Sequence, residues 1–234
     1  SHGCKFCYVP DTPNIRTREE MLQEKTGIDD GQRDWGGYLL YRDDLPERLA
    51  RKLEGKQEWK CTPRGRGVVM LSSGTDCYQD RRTAQITRGC VAELIKHDRE
   101  VRILTRSPSV SLDIDLFQES DGLVTVGSSI PSLDDERVRA LETSAPPPSK
   151  RFGALNQMSK EGIRTYVSMS PTYPTQDKND LRELMRKFAE LETLEVVFHE
   201  PINPRGANFD MTIKAAKDAG DKELAEELER IASS

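Results

Sequence analysis

Short runs of apolar residues recur along the chain, and longer stretches of helical period separate them. Five runs, at residues 67–72, 101–105, 123–128, 163–169 and 194–199, have the length of strands and are mostly apolar rather than strictly alternating. Such runs are typical of parallel strands that are covered on both faces. The pattern therefore predicts five parallel β-strands.

Three of the intervening stretches, at residues 83–96, 150–161 and 181–191, place apolar side chains on one helical stripe. Strands that alternate with such helices form βαβ units, so the sequence predicts an α/β fold. Periodicity alone leaves open whether the sheet curls into a barrel or stays open. Residues 145–149 are rich in proline, but the same rhythm continues on both sides, so we expect a loop within one domain.

Both ends of the chain depart from this rhythm. Residues 11–37 are polar and charged, which predicts a long loop with one short helix near residues 17–23. The last residues are rich in Ala, Lys and Glu, which predicts one or two surface helices at residues 211–219 and 222–231.

Composition narrows the functional classes. The chain has 234 residues, enough to bury a sizeable core, and its formal net charge is -5, which argues against an overall basic surface for nucleic acid. A mean hydropathy of -0.69 without a long apolar run predicts no membrane span. The opening residues do not resemble a signal peptide, and the five cysteines are an odd number, so we expect a cytoplasmic protein without a disulfide scaffold. The small basic loop at residues 63–67 is interpreted as solvated rather than as a phosphate site.

The first eight residues, SHGCKFCY, contain the most informative motif. Cys4 and Cys7 form a C-x-x-C pair, which by itself suits a zinc knuckle, a redox pair or iron–sulfur ligands. Phe6, directly before the second cysteine, is not expected of a zinc knuckle. We expect His2 to shape this turn or to form hydrogen bonds within it, and Cys90, on an apolar helical stripe, to be packed in the core.

Cys4, Phe6 and Cys7 resemble the end of the C-x-x-x-C-x-aromatic-C motif of the radical S-adenosylmethionine (radical SAM) superfamily. In that motif a first cysteine would stand directly ahead of Ser1. The resemblance implies that three thiolates hold a 4Fe–4S cluster and leave its fourth iron to S-adenosylmethionine. It also implies that the cofactor is cleaved reductively to a 5′-deoxyadenosyl radical, which abstracts hydrogen from a substrate. On this interpretation the chain lacks the first ligand and the strand before it, so we expect it to hold a cluster poorly unless it is extended.

A second segment, VVMLSSGTDCYQ at residues 68–79, together with LTRS at residues 104–107, resembles the spore photoproduct lyase-like branch of that superfamily. The similarity covers roughly residues 1–175 with the order of elements preserved. It implies a partial (β/α)6 barrel of the TIM type. The expected organisation is one radical SAM core domain over residues 1–234, with a cluster loop at 1–10, a barrel at about 37–206 and surface helices at 207–234.

The resemblance also implies a set of cofactor contacts. The turn after the second barrel strand would contact the methionyl amino group, and Arg106, where the lyases have Lys, would pair with the methionyl carboxylate. Ser129 would bond the ribose or the carboxylate, and Phe6 would lie beside the adenine. The cofactor-binding candidates are therefore Phe6, Ser73, Gly74, Thr75, Arg106 and Ser129.

Four further residues are candidates for catalysis. Asp76 is either a turn-former or an active-site carboxylate. In the DNA-repairing lyases a cysteine of this turn returns a hydrogen atom, but the matching position holds Ser73, whose O–H bond is too strong for that role. Photoproduct repair is therefore not expected, and Cys77, followed by Tyr78, is a candidate replacement donor. Glu200, at the end of the last strand, is a candidate for substrate contact.

The family resemblance implies a reductant such as flavodoxin or ferredoxin and a monomeric enzyme. It leaves the substrate unidentified, with nucleic acid as the class that the branch suggests. The alternative hypothesis is a non-catalytic α/β module that binds zinc or an iron–sulfur cluster through its C-x-x-C pair.

Overall fold

Five parallel strands form one sheet in the computed structural model, which describes residues 2–55, 61–62 and 65–233. A two-stranded antiparallel hairpin precedes this sheet. The hairpin strands are β1 (Cys61–Thr62) and β2 (Gly65–Arg66), and the parallel strands are β3 (Val69–Leu71), β4 (Val101–Thr105), β5 (Val124–Ser129), β6 (Arg164–Met169) and β7 (Leu194–His199).

Helices precede the parallel strands, connect them and follow the last one. They are α1 (Pro13–Arg16), α2 (Glu19–Thr26), α3 (Leu45–Glu54), α4 (Arg81–Lys96), α5 (Ile114–Gln118), α6 (Asp135–Leu141), α7 (Pro148–Lys160), α8 (Lys178–Phe188), α9 (Asn208–Asp218) and α10 (Lys222–Ala232). The strand order β3-β4-β5-β6-β7 is the order of the chain, so each strand pairs with the next one along the sequence. The predicted α/β class is confirmed, and the five strands predicted from apolar runs are the five parallel strands observed.

The helices begin where polar side chains satisfy their first backbone N–H groups. At α4, the Oδ1 of Asp80 accepts a hydrogen bond of 2.8 Å from the backbone N–H of Thr83, and the backbone N–H of Asp80 donates to the Thr83 hydroxyl. Asp177 caps α8 in the same reciprocal way with Asp180. These capping boxes fix where the chain leaves each strand-end loop and enters a helix.

One hydrophobic cluster lies between the sheet and its helices. Alternate residues of β4, Val101 and Ile103, are buried there against Leu94 of α4, and Leu155 and Met158 of α7 cover the middle of the sheet. Cys90 is 6% exposed, so its predicted packing role in α4 is confirmed. This cluster makes the sheet a rigid support for the loops at its strand ends.

A second hydrophobic cluster joins the two ends of the chain. Cys4 and Phe6 pack with Leu141 of α6 and with Leu224 and Leu228 of α10. The N-terminal turn is therefore held by residues that are more than 200 positions away in sequence. The terminal helices, predicted as surface helices, bury one face to do this.

Several elements differ from the prediction. The stretch expected to contain one short helix contains two, α1 and α2. Helix α3 was not predicted, although its leucines at positions 45, 49 and 53 follow a helical spacing. The basic loop predicted at residues 63–67 contains β2, and residues 63 and 64 lie outside the described residues. Among the helices of the described residues, none is long and apolar enough to span a membrane.

Candidate active site

A cavity of about 340 Å³ opens where the parallel strands end. The N-terminal turn forms one wall, and the loops after β3, β4, β6 and β7 form the others. The predicted site residues that line it are Cys4, Phe6, Cys7, Ser73, Gly74, Thr75, Asp76, Arg106, Ser129 and Glu200. Because the carboxyl ends of parallel strands meet at one edge of a sheet, residues from five separate segments converge here.

The N-terminal turn is fixed by backbone hydrogen bonds. The N–H of Cys7 donates to the carbonyl of Cys4 at 3.1 Å, and the N–H of Lys5 donates to the carbonyl of Leu141 at 3.0 Å. The side-chain amide of Asn208, from the start of α9, donates to the carbonyl of Phe6 at 2.8 Å. Gly3 has a φ of +67°, and a Cβ there would lie 3.2 Å from the carbonyl oxygen of Trp35. These contacts hold both cysteines at the cavity wall.

The two thiols of the turn are shielded from water. Burial raises the pKa of Cys4 to about 12, although the nearby charge of Arg106 acts in the opposite direction. Burial also raises the pKa of Cys7, while its backbone contact with Val9 and the indole of Trp35 lower it in part. The indole N–H of Trp35 makes no hydrogen bond of regular geometry to any described residue. A soft metal centre that displaces the protons of both thiols would therefore be bound here by two thiolates of one turn.

The donor set fits a thiolate-bound centre in part. Two cysteines line one cavity, and soft thiolates select zinc or iron–sulfur clusters. Within the described residues, no group of three His, Cys, Asp or Glu side chains is arranged to hold a metal ion. Cys4 and Cys7 would thus supply two of the three ligands that the predicted cluster requires.

Asp76 lies at the centre of a hydrogen-bond network beneath the cavity. Its Oδ2 accepts from His2 at 2.9 Å and from the backbone N–H of Arg106 at 2.7 Å. Its Oδ1 accepts from the Thr105 hydroxyl at 2.6 Å and from the backbone N–H of Tyr78 at 2.9 Å. Burial alone would raise the pKa of Asp76, but the hydrogen bonds and charge of His2, with the bonds from Thr105 and Arg106, lower it below its ordinary value. His2 was expected to form hydrogen bonds within the N-terminal turn, but its side chain instead bonds Asp76 in the turn after β3.

Arg106 presents a partly buried guanidinium to the cavity. Its Nε donates to Glu142 at 3.2 Å, and its Nη2 donates to the carbonyl of Ser170 at 3.1 Å. Its guanidinium carbon lies 5.6 Å from the ring centre of Phe6. Burial by itself lowers the pKa of Arg106, but the charge of Glu142 and the neighbouring thiols raise it above its ordinary value. Arg106 is therefore a permanent cation beside the cysteine turn.

The turn after β3 is open to the cavity. Ser73, Gly74 and Thr75 are exposed, and a Cβ on Gly74 would meet nothing within 4 Å. Ser72, the residue before them, has a φ of +76°, a left-handed conformation that few non-glycine residues adopt. The turn thus leaves hydroxyl and backbone groups free to meet a ligand.

Two of the predicted catalytic residues do not line the cavity. Cys77 packs against the main hydrophobic cluster, and its Sγ accepts a hydrogen bond from the Ser72 hydroxyl at 3.1 Å. Burial, with the nearby charge of Asp76, raises the pKa of Cys77 to about 12. Tyr78 is 1% exposed, and its hydroxyl donates to Asp113 at 2.8 Å. Their contacts are those of packed residues, and they add no support to the catalytic roles predicted for them.

Sequence reasoning missed three residues of the site. Trp35 reaches the cavity from the long N-terminal loop, Glu142 pairs with Arg106, and Arg151 pairs with Glu142. The sequence contains only weak signals for these residues. Trp35 is a lone Trp in a polar loop, and Arg151 is a charged residue at an otherwise apolar helical position. Neither signal specifies which strand end the side chain reaches.

The sequence profile of the Radical SAM superfamily matches residues 1–188. The chain is similar to the uncharacterized protein ORF301 of Acidianus two-tailed virus, with 31% identity over 98% of this chain and 74% of that protein. It is also similar to the uncharacterized protein MJ0683 of Methanocaldococcus jannaschii, with 28% identity over 60% of this chain and 49% of that protein.

A solved structure of similar outline is that of SuiB from Streptococcus suis bound to S-adenosylmethionine. It is 12% identical, with a TM-score of 0.45, over 94% of this chain and 62% of that chain. The chain thus spans about half of the archaeal relative and less than two thirds of SuiB.

Proposed function

The chain belongs to the radical SAM superfamily, and on that premise we propose that it is an enzyme that binds a 4Fe–4S cluster through Cys4 and Cys7 and uses S-adenosylmethionine. When bound, the cluster supplies the electron that splits a C–S bond of the cofactor into a 5′-deoxyadenosyl radical, which then takes hydrogen from a substrate. The observation that carries the proposal is the meeting of both thiols and the partly buried cation Arg106 in one cavity at the strand ends.

The chain's own residues would bind and orient the cofactor. Arg106 offers a fixed cation to a carboxylate, since two of its nitrogens are already held by Glu142 and Ser170. The exposed turn at residues 73–75 offers hydroxyl and carbonyl oxygens to an ammonium group, and Ser129 offers a hydroxyl from the end of β5. Phe6 and Trp35 give apolar surface that keeps water away from this region.

We extend the proposal to the spore photoproduct lyase-like branch, because the segments at residues 68–79 and 104–107 resemble that pattern, with Arg106 in place of the lyases' Lys. The position of the lyases' hydrogen-donating cysteine holds Ser73, so the reaction would differ from photoproduct repair. The proposal includes Glu200 as a substrate contact at the cavity mouth, a monomeric cytoplasmic enzyme, and a flavodoxin or ferredoxin as reductant. Nucleic acid is the proposed substrate class on branch resemblance alone.

Anaerobic reconstitution with iron and sulfide tests the proposal. The chain should be compared with a version that has a cysteine added directly before Ser1, since the family motif places the first ligand there. We expect the extended version to gain a broad absorbance near ~400 nm and to release 5′-deoxyadenosine when dithionite and S-adenosylmethionine are added. Cys4→Ala and Cys7→Ala should abolish both signals.

Cys90→Ala is the matched control, because Cys90 is buried in α4 away from the cavity. It should leave the absorbance and the product unchanged. A colourless extended protein with stoichiometric zinc would contradict the proposal and favour the non-catalytic zinc module. That alternative rests on the same observation that the described residues offer two cysteines as ligands.

A further inference from the structure

A buried charge cluster lies directly behind Arg106. The side chain of Glu142, which follows α6, is completely buried, and its Oε2 accepts hydrogen bonds from the Nε of Arg106 and from the Nη2 of Arg151. One carboxylate oxygen therefore holds two guanidinium groups, of which only Arg106 lines the cavity.

Arg151 is itself immobilised from the other side. Its Nε donates to the carbonyl of Pro146 at 2.6 Å, and its Nη1 donates to the carbonyl of Ser129 at 2.9 Å. Its side chain is completely buried. Because Ser129 ends β5 and also lines the cavity, Arg151 ties Glu142 to the same strand end that the cofactor would meet.

Within this cluster, one acceptor and one donor have no hydrogen-bond partner among the described residues. Two guanidinium groups face a single carboxylate, and the Oε1 of Glu142 has no hydrogen-bond partner among the described residues. Arg106 uses its Nε and Nη2 for Glu142 and Ser170, and no described acceptor takes a hydrogen bond from its Nη1. The cavity also holds the carboxylates of Asp76 and Glu200, so the feature that favours an anionic ligand is the free Nη1 donor of Arg106 and not a net positive charge.

We propose that Glu142, anchored by Arg151, is the positioning residue that holds the guanidinium of Arg106 in place for the methionyl carboxylate of S-adenosylmethionine. This inference rests on the proposed function. Glu142 fixes the Nε edge of Arg106 and leaves a terminal nitrogen, Nη1, to donate to the carboxylate of the ligand. Its role is orientation through Arg106, since Glu142 itself does not line the cavity.

The test compares two ligands on the reconstituted, cysteine-extended protein by anaerobic isothermal titration. S-adenosylmethionine has the carboxylate, and 5′-methylthioadenosine lacks the whole amino-acid part. For Glu142→Gln we expect the Kd of S-adenosylmethionine to rise at least about tenfold and the Kd of 5′-methylthioadenosine to change less than about twofold. A merely structural role would weaken both ligands equally.

Equal weakening of both ligands would overturn the inference. So would a lower Kd for S-adenosylmethionine, because it would mean that Glu142 competes with the ligand for Arg106. If Glu142→Gln does not fold, Arg151→Lys gives the same comparison, since it keeps the charge but loses the fixed fork of donors. A wild-type protein that binds no S-adenosylmethionine would instead overturn the proposed function, so the two failures are distinguishable.

Discussion

Asp76 shows how one carboxylate can link the N-terminal turn to the sheet. The sequence predicted either a turn-forming residue or an active-site carboxylate, and the contacts of Asp76 place it both in its own turn and at the cavity. It bonds the N–H of Tyr78 within its own turn, and it bonds His2 and the backbone of Arg106 across the site. A change at Asp76 should therefore affect the fold and the position of the proposed cofactor contacts together.

Asp76→Asn should lower the free energy of unfolding by about 1–3 kcal/mol or more at neutral pH. The amide has one acceptor oxygen, so its NH2 group would face donors that the second carboxylate oxygen now satisfies. Because the folded pKa of Asp76 is lowered, the stabilisation is complete above its ordinary pKa of about 3.9 and is lost as the pH falls through the folded value. The difference between wild type and variant should thus be constant near neutral pH and shrink below about pH 4.

Urea unfolding of both proteins at several pH values would measure this difference. Asp98→Asn is the control, because Asp98 is exposed and has a φ of +54°, which Asn tolerates well. It should change the stability by less than about 0.5 kcal/mol. If the stability difference between wild type and Asp76→Asn stays constant down to pH 3, the hydrogen bonds do not stabilise the ionised carboxylate of Asp76 in the wild type.

At this scale the sequence predicted residue types better than side-chain directions. Asp76, Cys77 and Tyr78 are consecutive, and all three were candidates for catalysis. The turn that presents Asp76 to the cavity directs Cys77 and Tyr78 into the hydrophobic cluster. A sequence pattern gives neighbours along the chain, whereas the φ and ψ angles of a turn decide which neighbour meets the cavity.

At the level of elements, the central strands were predictable because they are largely buried and therefore apolar, whereas the edge strands β3 and β7 are only partly buried although their runs are apolar. Val101 and Ile103 of β4 are buried in the main hydrophobic cluster, and the run that contains them is short and β-branched. Helices α3 and α6 were not predicted, because a short helix with a narrow apolar stripe is hard to distinguish from a polar loop. In α6 that stripe consists mainly of Val138 and Leu141.

The start of α9 controls the N-terminal turn through one residue, Asn208. Its side-chain amide donates to the carbonyls of Phe6 and Asn203, each at 2.8 Å, and its Oδ1 accepts from the N–H of Arg205. Asn208 is fully buried. One side chain therefore joins the cysteine turn, the loop after β7 and a helix.

Asn208→Ala should cost about 1–3 kcal/mol of stability, because two buried carbonyl groups lose their donor. In the cysteine-extended protein it should also lower the iron retained after desalting, since the turn that holds Cys4 and Cys7 is released. Denaturant unfolding and an iron assay would measure the two effects.

Asn179→Ala is the control for this variant, because Asn179 is an exposed residue at the start of α8. It should change the stability by no more than about 0.5 kcal/mol. Full iron retention in Asn208→Ala, together with unchanged stability, would contradict the role given to this side chain.

In the whole molecule, the site depends on contacts that no local pattern contains. Cys4 packs with Leu224 and Leu228, and Arg106 reaches Glu142 across 36 positions. The prediction that the candidate residues stand at strand ends followed from the strands, because parallel strands align their carboxyl ends. The partners behind those residues could not be predicted in the same way, since they depend on how α7 packs against β5 and how α6 packs against α7.

The charge of the whole molecule bears on the proposed nucleic-acid substrate. The formal net charge is -5, and among the described residues that line the cavity Arg106 is the only permanent cation, facing Asp76 and Glu200 in the same cavity. Arg205, whose guanidinium lies 5.5 Å from the ring centre of the cavity-lining Tyr8, adds a cation next to the cavity wall. This arrangement can neutralise few phosphates, so any binding should depend weakly on salt.

Fluorescence anisotropy with a labelled single-stranded oligonucleotide would test this expectation. We expect log K to fall with log salt at a slope shallower than about -2, because each neutralised phosphate contributes about -0.7 for a single strand. Arg205→Ala should weaken binding and reduce the slope by the contribution of about one phosphate. The control is Arg186→Ala, which removes a charge on α8 and should change neither the affinity nor the slope. A slope steeper than about -4 would require a phosphate groove away from the cavity, and an absence of binding at low salt would remove nucleic acid from the candidate substrates. The salt dependence of binding thus distinguishes a small ligand that is held by the cavity cation Arg106 from a polyanion that is held by a charged surface. The fold class alone does not make this distinction.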